Sequence, residues 1–278
     1  MRKTTRTLCG FTVAAGIFGA FFRWVQLGRA VEEDTGLFLP GAPSSTLMAV
    51  YLVVVAAVLL VLVRRCKGAA FQTSYPAVYA GGGRAVKPVA ILAGILLAIG
   101  GLLTITHAMH MAKAATAGLI GTLDYTPVFD LLLGIFAIIC GIAAIFFVFN
   151  AGSRKPGRAY FSSALIVLFL CFWLIAAYKY SADDPVLWNF AIRLLDISAT
   201  ILAFYYAAGF VYDKPRPLAA LYFCQLSAFL GIVTEADVYP LGEQLIVLAF
   251  LILSLLLSAL QLGSAGTHSP ETPSAETE

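Results

Sequence analysis

The sequence predicts an all-α, polytopic integral membrane protein, a bundle of about eight transmembrane helices. Of its 278 residues, 60% are hydrophobic and only 12% are charged, which is about half the charged fraction of a soluble domain. The mean hydropathy is +0.90. The apolar runs are also continuous and lack the two-residue alternation of barrel strands, so they indicate helices.

Each apolar run has close to the roughly 20 residues that cross a hydrocarbon core of about 30 Å. The predicted helices are Leu8–Leu27, Thr46–Val63, Pro88–Met111, Pro127–Phe149, Phe161–Tyr178, Leu187–Tyr212, Leu218–Thr234 and Gln244–Leu262. The basic start of the first run is typical of a signal peptide, but no cleavage pattern follows it, which favours an uncleaved helix. We expect residues 1–262 to form the transmembrane domain and the polar, acidic residues 263–278 to form a disordered cytoplasmic tail.

The basic residues predict the orientation of the chain. Thirteen lie in one set of connecting segments and only three in the opposite set. The larger set is Arg2, Lys3, Arg6, Arg64, Arg65, Lys67, Arg84, Lys87, Arg154, Lys155, Arg158, Lys214 and Arg216, and the smaller is Arg29, Lys113 and Lys179. Because cytoplasmic segments are rich in Lys and Arg, we expect both termini to be cytoplasmic and the protein to lie in the plasma membrane, here a bacterial inner membrane.

Acidic residues predominate in the segments predicted to lie outside. Two interpretations stay open. An acidic rim would concentrate cations at the outer surface, or basic residues are simply excluded from that side while acidic ones are tolerated. The second interpretation needs nothing beyond the orientation rule.

Two charged residues fall within the sixth predicted helix. Arg193 and Asp196 lie three residues apart in the run "FAIRLLDISATILAFYYAAGF", so they share a helix face and can pair directly. A central charge in lipid costs at least about 2.5 kcal/mol, so this face is expected to turn away from lipid. The pair is either a structural network that holds helices together or part of a functional site.

Other polar residues are predicted near the same, outer ends of their helices. They are Asp130, Arg23, Glu235 and Glu243. Together with Arg193 and Asp196 they predict a polar cavity that opens to the outside and is closed below. Such a cavity would bind a small molecule or a cation on the outer side.

Two histidines near the outer end of the third helix, His107 and His110, share a face in "THAMHMA". With the neighbouring methionines they offer ligands for a soft metal. Two ligands do not complete a coordination shell, so interfacial hydrogen bonding is the favoured role. The five cysteines follow no zinc-site spacing. We expect no cofactor.

The stretch "FFRWVQLGRAVEEDTGLFLPGAPSS", from Phe21 to Ser45, resembles a segment of uncharacterised bacterial multi-pass membrane proteins. It joins an Arg-Trp helix end to an acidic Thr-Gly-Leu loop with proline. The resemblance implies a membrane protein of the same general type. It supplies no activity, and no site residue follows from it.

Three functions stay open on the sequence. The first is binding or transport of a small molecule or ion through the outward-facing cavity. The second is a non-enzymatic membrane partner or regulatory subunit, of unknown protein partner, whose polar network is structural. The third is an intramembrane enzyme using Asp130, Asp196, Glu235 or Glu243 as acid and base. We rank it last and expect no enzyme, because no nucleophile–base pair or catalytic motif is present. Nothing in the sequence indicates nucleic-acid binding.

Overall fold

The computed structural model describes residues 2–30, 43–68, 71–80, 83–116, 127–152, 157–181, 188 and 190–265. Every regular element in these ranges is helical. The α-helices are α1 (Arg2–Ala30), α2 (Pro43–Arg65), α3 (Tyr75–Tyr79), α4 (Val86–Thr116), α5 (Pro127–Phe149), α6 (Gly157–Ser181), α7 (Ala191–Val211), α8 (Pro217–Thr234) and α9 (Leu241–Ser264). All except α3 are long and apolar enough to cross a membrane, which confirms eight spanning-capable helices in the described ranges.

The helix bounds depart from prediction mainly at the ends. The fifth helix, α5, matches at both residues, because Pro127 favours a helix start and the apolar run ends at Phe149. The helix α7 begins at Ala191 rather than at Leu187, with Phe190 as its N-cap. Hydropathy could not locate this start, since the residues before it are also apolar. The helix α9 continues to Ser264, and residues 266–278 of the predicted tail lie outside the described ranges.

Consecutive long helices run in opposite directions, so alternate connections lie at the same end of the bundle. We call the end at which α2, α5, α7 and α9 begin the acidic end, and the end at which they finish the basic end. The helices α8 and α9 are central. The first contacts α1, α2, α7 and α9, and the second contacts α1, α3, α4, α7 and α8.

Close approach of α4 and α5 depends on small residues. A Cβ atom at Gly101 would overlap the carbonyl oxygen of Gly134, and one at Gly134 would overlap that of Gly101. A Cβ at Gly94 would lie 2.8 Å from the carbonyl oxygen of Gly141. Without aqueous solvent to drive helices together, such close backbone packing stabilises the bundle.

The exposed surface of the helices is apolar, as expected for lipid contact. Along α2, the exposed side chains include Leu47, Val50, Val53, Val58 and Val61. A water-soluble protein rarely exposes such a continuous patch. The interior is aromatic, with Trp173 of α6 stacked on Phe250 of α9 at a ring-centroid distance of 6.1 Å.

The connection between α2 and α4 contains a short helix that the sequence analysis did not predict. Residues 71–80 include the helix α3, whose Tyr75 and Tyr79 are buried. The Tyr75 hydroxyl donates to the carbonyl oxygen of Phe147, and Gln261 of α9 donates to the Tyr79 hydroxyl over 3.1 Å. These tyrosines anchor this part of the connection to the basic end.

Candidate functional site

All six residues of the predicted cavity lie at the acidic end. Arg23 is near the end of α1, Asp130 is in the first turn of α5, and Glu243 is in the first turn of α9. Arg193 and Asp196 occupy the first two turns of α7, and Glu235 follows directly after α8. With Asp237 they form what we call the carboxylate cluster: Arg23, Asp130, Arg193, Asp196, Glu235, Asp237 and Glu243.

Arg193 forms its ion pair with Glu243 of α9. Its guanidinium group also lies over the ring of Tyr239, 4.5 Å from the centroid, which adds a cation–π interaction. The sequence suggested a direct pair with Asp196 instead. The reason for the difference is depth: Asp196 lies almost one turn farther into the bundle, while the long Arg193 side chain reaches across to the neighbouring helix end.

Arg23 is fully buried and uses all three of its guanidinium nitrogens. Its Nε donates to Asp237 over 2.6 Å, one terminal nitrogen donates to Gln26 over 3.0 Å, and the other donates to the carbonyl oxygen of Trp188 over 2.9 Å. Gln26 in turn donates to Ser45 of α2 over 3.1 Å. The guanidinium therefore joins α1 to α2 and to the connections that precede α7 and α9.

Asp237 was not among the residues predicted for the site. It lies between α8 and α9, and it is 5% exposed. The sequence shows it only as one more acidic residue of a short outer connection. The signal that could have located Asp237 is Arg23, since a buried charge needs a partner and that partner must come from another segment.

Asp196 begins a line of hydrogen bonds toward the middle of the bundle. Its carboxyl group is hydrogen-bonded by Thr200, one turn farther along α7. The Thr200 hydroxyl lies 2.7 Å from that of Ser227 on α8, which lies 3.0 Å from that of Ser254 on α9. We call Thr200, Ser227 and Ser254 the hydroxyl chain. All three side chains are at most 2% exposed.

Sequence reasoning missed the hydroxyl chain. Serine and threonine within a membrane helix usually hydrogen-bond to a carbonyl oxygen of the preceding turn, and Ser198 does so with Leu194. Such residues therefore do not stand out. Their inward direction on α8 and α9 depends on how three helices face one another, and one sequence does not reveal this.

The end of α8 and the connection after it contain buried oxygen atoms without a hydrogen-bond partner in the described part of the chain. They are Oγ1 of Thr234, Oε1 of Glu235 and Oδ2 of Asp237. Burial raises the pKa of the Glu235 carboxyl to about 7. Burial also raises the pKa of Asp237, and the Arg23 guanidinium opposes that rise. This corner of the cluster therefore favours a bound proton or another positive charge.

Asp130 lies on the α5–α6 side of the cluster. The Tyr180 hydroxyl donates a hydrogen bond to it, and Glu243 lies within electrostatic range of both. Asp130 is 7% exposed. Its position brings the first turn of α5 within electrostatic range of Glu243 on α9.

The cluster contains more acidic than basic side chains. Its acids are Asp130, Asp196, Glu235, Asp237 and Glu243, against the two guanidinium groups of Arg23 and Arg193. The ion pairs found in the described ranges use Asp237 and Glu243. A carboxylate that is held away from water without a basic partner carries a large desolvation cost, which a bound proton or cation relieves.

His107 and His110 have exposed side chains on α4. His107 lies within electrostatic range of Glu243. Among the described residues, no group of three His, Cys, Asp or Glu side chains is placed to hold a metal ion. The histidines thus lie beside the carboxylate cluster and do not form a coordination shell with it.

Three cavities of the described part of the chain have volumes of about 450, 740 and 450 Å³. None of these three is lined by a residue of the carboxylate cluster. They lie on the α5–α6 face, between α6 and α7, and beside Tyr79 and Lys87. The outward-facing polar cavity stays a prediction, and the polar side chains on which it was based do converge.

The comparisons with known proteins do not assign the chain to a group. No family of known proteins matches it, and neither a curated protein nor a solved structure is significantly similar. Functional inference therefore depends on the carboxylate cluster and the hydroxyl chain themselves.

Proposed function

We propose that this multi-pass membrane protein binds a small inorganic cation, a proton or an alkali metal ion, at the carboxylate cluster and transports it. The observation that carries the proposal is the pair Asp196 and Glu235, two carboxylates within electrostatic range of each other, at the ends of membrane-spanning helices and outside the ion pairs found in the described ranges. Ionisable side chains in such helices are costly and are retained mainly where they serve a function.

Asp196 and Glu235 are the residues that we assign to the cation. Neither belongs to the ion pairs of Arg23 or Arg193 found in the described ranges, and the two lie within electrostatic range of each other. Two carboxylates that share one site disfavour full ionisation. Binding one cation or proton between them relieves the repulsion.

The hydroxyl chain supports transport rather than binding alone. Hydroxyl groups both donate and accept hydrogen bonds, so they can solvate a cation or pass on a proton. From Asp196 the chain reaches Ser254, 13 residues beyond the first residue of α9, or about 20 Å along a helix. It thus connects the acidic end to the interior of the bundle.

The proposed orientation follows the distribution of charge. With the basic end at the cytoplasm, the carboxylate cluster faces outward, and both termini are cytoplasmic. A plasma membrane, such as a bacterial inner membrane, provides the proton and sodium gradients that such a transporter would use. We propose a non-enzymatic role, since the sequence contains no recognised catalytic motif.

Cation binding is tested by thermal unfolding of the purified protein in detergent. We compare choline chloride with the chlorides of lithium, sodium and potassium at constant ionic strength, and about pH 8 with about pH 6. We expect one alkali cation, or the lower pH, to raise the unfolding temperature, because a ligand at about 100 times its Kd stabilises by about 2.7 kcal/mol. The Asp196→Asn/Glu235→Gln variant should lose this gain.

The matched control is Asp213→Asn, which removes an exposed carboxylate at the basic end. Asp213 has a φ of 54°, a conformation that Asn tolerates. This variant should keep the cation response of the wild type. Equal unfolding temperatures of the wild type in all four salts and at both pH values would contradict the proposal, and so would an unchanged response of the double variant.

The second candidate is a membrane partner or regulatory subunit with a structural polar network. Arg23 favours it, because its guanidinium group contacts Asp237, Gln26 and Trp188 and so joins separate segments of the fold. Under this function the wild type would show no cation response, so neutralising Asp196 and Glu235 would change nothing in the cation assay. A defined protein would also copurify with the chain from its own membrane.

A further inference from the structure

A groove between α6 and α7 opens on the lipid-facing side near the basic end. It has a volume of about 740 Å³. Its lining residues are Ser163, Ala164, Val167, Leu168, Cys171, Tyr205, Tyr206, Ala208, Gly209, Tyr212, Lys214 and Arg216. The walls within the bundle are mainly apolar, and the two basic residues lie where the groove meets the basic end.

The α7–α8 turn fixes the position of Lys214. The backbone N–H of Lys214 donates to the carbonyl oxygen of Gly209 over 2.8 Å, and Asp213 takes the left-handed conformation that this turn requires. At Gly209 a Cβ atom would lie 2.9 Å from the carbonyl oxygen of Lys214. Glycine therefore permits the turn to fold back over the end of α7, beside the groove.

Arg216 is held by similar local constraints. It lies between Pro215 and Pro217, and it is the N-cap of α8, with Pro217 in the first turn. The proline rings restrict the backbone on both sides of Arg216. The two positive charges are thus presented by a stiff connection, and no acidic residue of the described ranges lines the groove.

Tyrosines surround the mouth of the groove. Tyr205 is 59% exposed and Tyr212 is 46% exposed. The Tyr212 ring packs against Tyr160 with centroids 4.9 Å apart, and its hydroxyl donates to the Tyr160 carbonyl oxygen over 3.2 Å. Tyrosine is common at the membrane–water boundary, where its ring contacts acyl chains and its hydroxyl contacts headgroups.

We propose that this groove is a binding site for an anionic phospholipid. One acyl chain lies along Val167, Leu168 and Cys171, and the headgroup phosphate lies between Lys214 and Arg216. Charge complementarity selects an anionic headgroup, and the apolar walls require a lipid rather than a soluble phosphate. The proposal requires that the chain crosses a membrane and does not depend on cation transport.

The site is tested by native mass spectrometry and thermal unfolding of the detergent-solubilised protein with added phosphatidylglycerol. Phosphatidylcholine and inorganic phosphate alone are the comparison ligands. We expect phosphatidylglycerol to bind and to raise the unfolding temperature. Phosphatidylcholine should bind more weakly, and inorganic phosphate should have no effect, because it lacks the acyl chain.

The variant Lys214→Ala/Arg216→Ala should bind phosphatidylglycerol about 30-fold more weakly, since each basic group near an anionic lipid contributes a factor of about five to six. The matched control is Arg64→Ala/Arg65→Ala. It removes two exposed basic residues from the same end of the bundle, at the end of α2, and should bind as the wild type does. Cys171→Trp, which fills the groove without changing its charge, should also lose the lipid.

Three results would overturn the proposal. They are equal loss of phosphatidylglycerol in the two double-alanine variants, equal binding of phosphatidylcholine and phosphatidylglycerol to the wild type, and equal stabilisation by inorganic phosphate. The substituted basic residues are exposed, so their replacement is compatible with folding. The wild-type comparison of the three ligands tests the site without any variant.

Discussion

The two ends of the bundle both contain many charges, but they hold them differently. At the basic end the described basic side chains are exposed: Arg64, Arg65, Lys67, Arg84, Lys87, Arg158, Lys214 and Arg216. The polar groups buried there are neutral, such as Gln261 and Tyr79. At the acidic end, Arg23, Arg193, Asp196 and Asp237 are buried.

This difference separates two roles of charge in one membrane protein. An exposed basic residue at a helix end keeps its water and costs the fold little, and its effect is on orientation. A buried charge loses water and must be compensated by partners. The buried charges of the acidic end therefore indicate function more strongly than the more numerous charges of the basic end.

The largest expected effect is the difference in stability between replacing one arginine at the acidic end and replacing one at the basic end. Arg23→Leu should destabilise the protein by about 3–5 kcal/mol, because it leaves the Asp237 carboxylate buried without its cation. Arg64→Leu, at the exposed end of α2, should change stability by less than about 0.5 kcal/mol. The free energy of unfolding in mixed detergent–denaturant micelles measures both. Equal effects of the two substitutions would remove the contrast between the ends.

A double-mutant cycle tests which carboxylate is the partner of Arg193. Arg193→Met and Glu243→Leu should each destabilise by about 3 kcal/mol, and the double variant should be no less stable than either single variant. The control cycle replaces Glu243→Leu with Asp196→Asn and should show a smaller coupling. A larger coupling between Arg193 and Asp196 would contradict the observed pairing.

The pH dependence of stability sharpens the comparison at Glu235. Folding raises the pKa of this carboxyl from 4.5 to about 7 through desolvation, so the folded state binds its proton more tightly. The stabilisation that comes from binding this proton is full below about pH 4.5. It decreases as the pH rises to about 7 and is lost above that. Because Glu235 is only half-buried, solvent screening keeps the decrease below about 1 kcal/mol.

The Glu235→Gln variant should lack this part of the pH dependence. Unfolding is measured from about pH 4.5 to about pH 8 for both proteins, and only their difference is assigned to Glu235, since Asp237 contributes to both. An identical pH profile of the two proteins would show that Glu235 titrates alike in the folded and unfolded states.

The smallest expected effect on stability is in the hydroxyl chain. Ser227→Ala removes the hydroxyl between Thr200 and Ser254, and it should destabilise by about 0.6 kcal/mol, the average of a hydrogen bond between membrane helices. The comparison at the basic end is Tyr79→Phe, which removes the acceptor of the Gln261 amide. Both substitutions should change the stability only slightly, but only Ser227→Ala should slow transport.

The sequence predicts the fold well because lipid imposes a simple rule. A segment in hydrocarbon must satisfy its own backbone, so long apolar runs become helices, and α5 agrees with its prediction at both ends. The helix α3 was missed because its five residues, with Pro76 among them, resemble a loop. Its stability comes from packing of Tyr75 and Tyr79, which local composition does not show.

From the sequence, the site was predictable only at charged residues within or beside the apolar runs. Arg193 and Asp196 stand out because charged residues are rare in apolar runs, and Glu243 stands out because it directly precedes the last of these runs. Asp237 and Tyr239 lie in a short connection, where polar residues are ordinary, and their inward direction follows from the packing of α8 on α1 and α9. The partner of Arg193 depends on the distance between helices, which helix periodicity cannot provide.

Transport in proteoliposomes tests the central claim most directly. Purified protein is reconstituted with an interior pH dye and a dye that reports membrane potential, and a pH gradient or an inward gradient of lithium, sodium or potassium is imposed. We expect dissipation of one of these gradients by the wild type and by Asp213→Asn, and slowing to the protein-free rate by Asp196→Asn/Glu235→Gln. Protein-free rates for the wild type under every gradient, or unchanged transport by the double variant, would contradict a cation pathway through the carboxylate cluster.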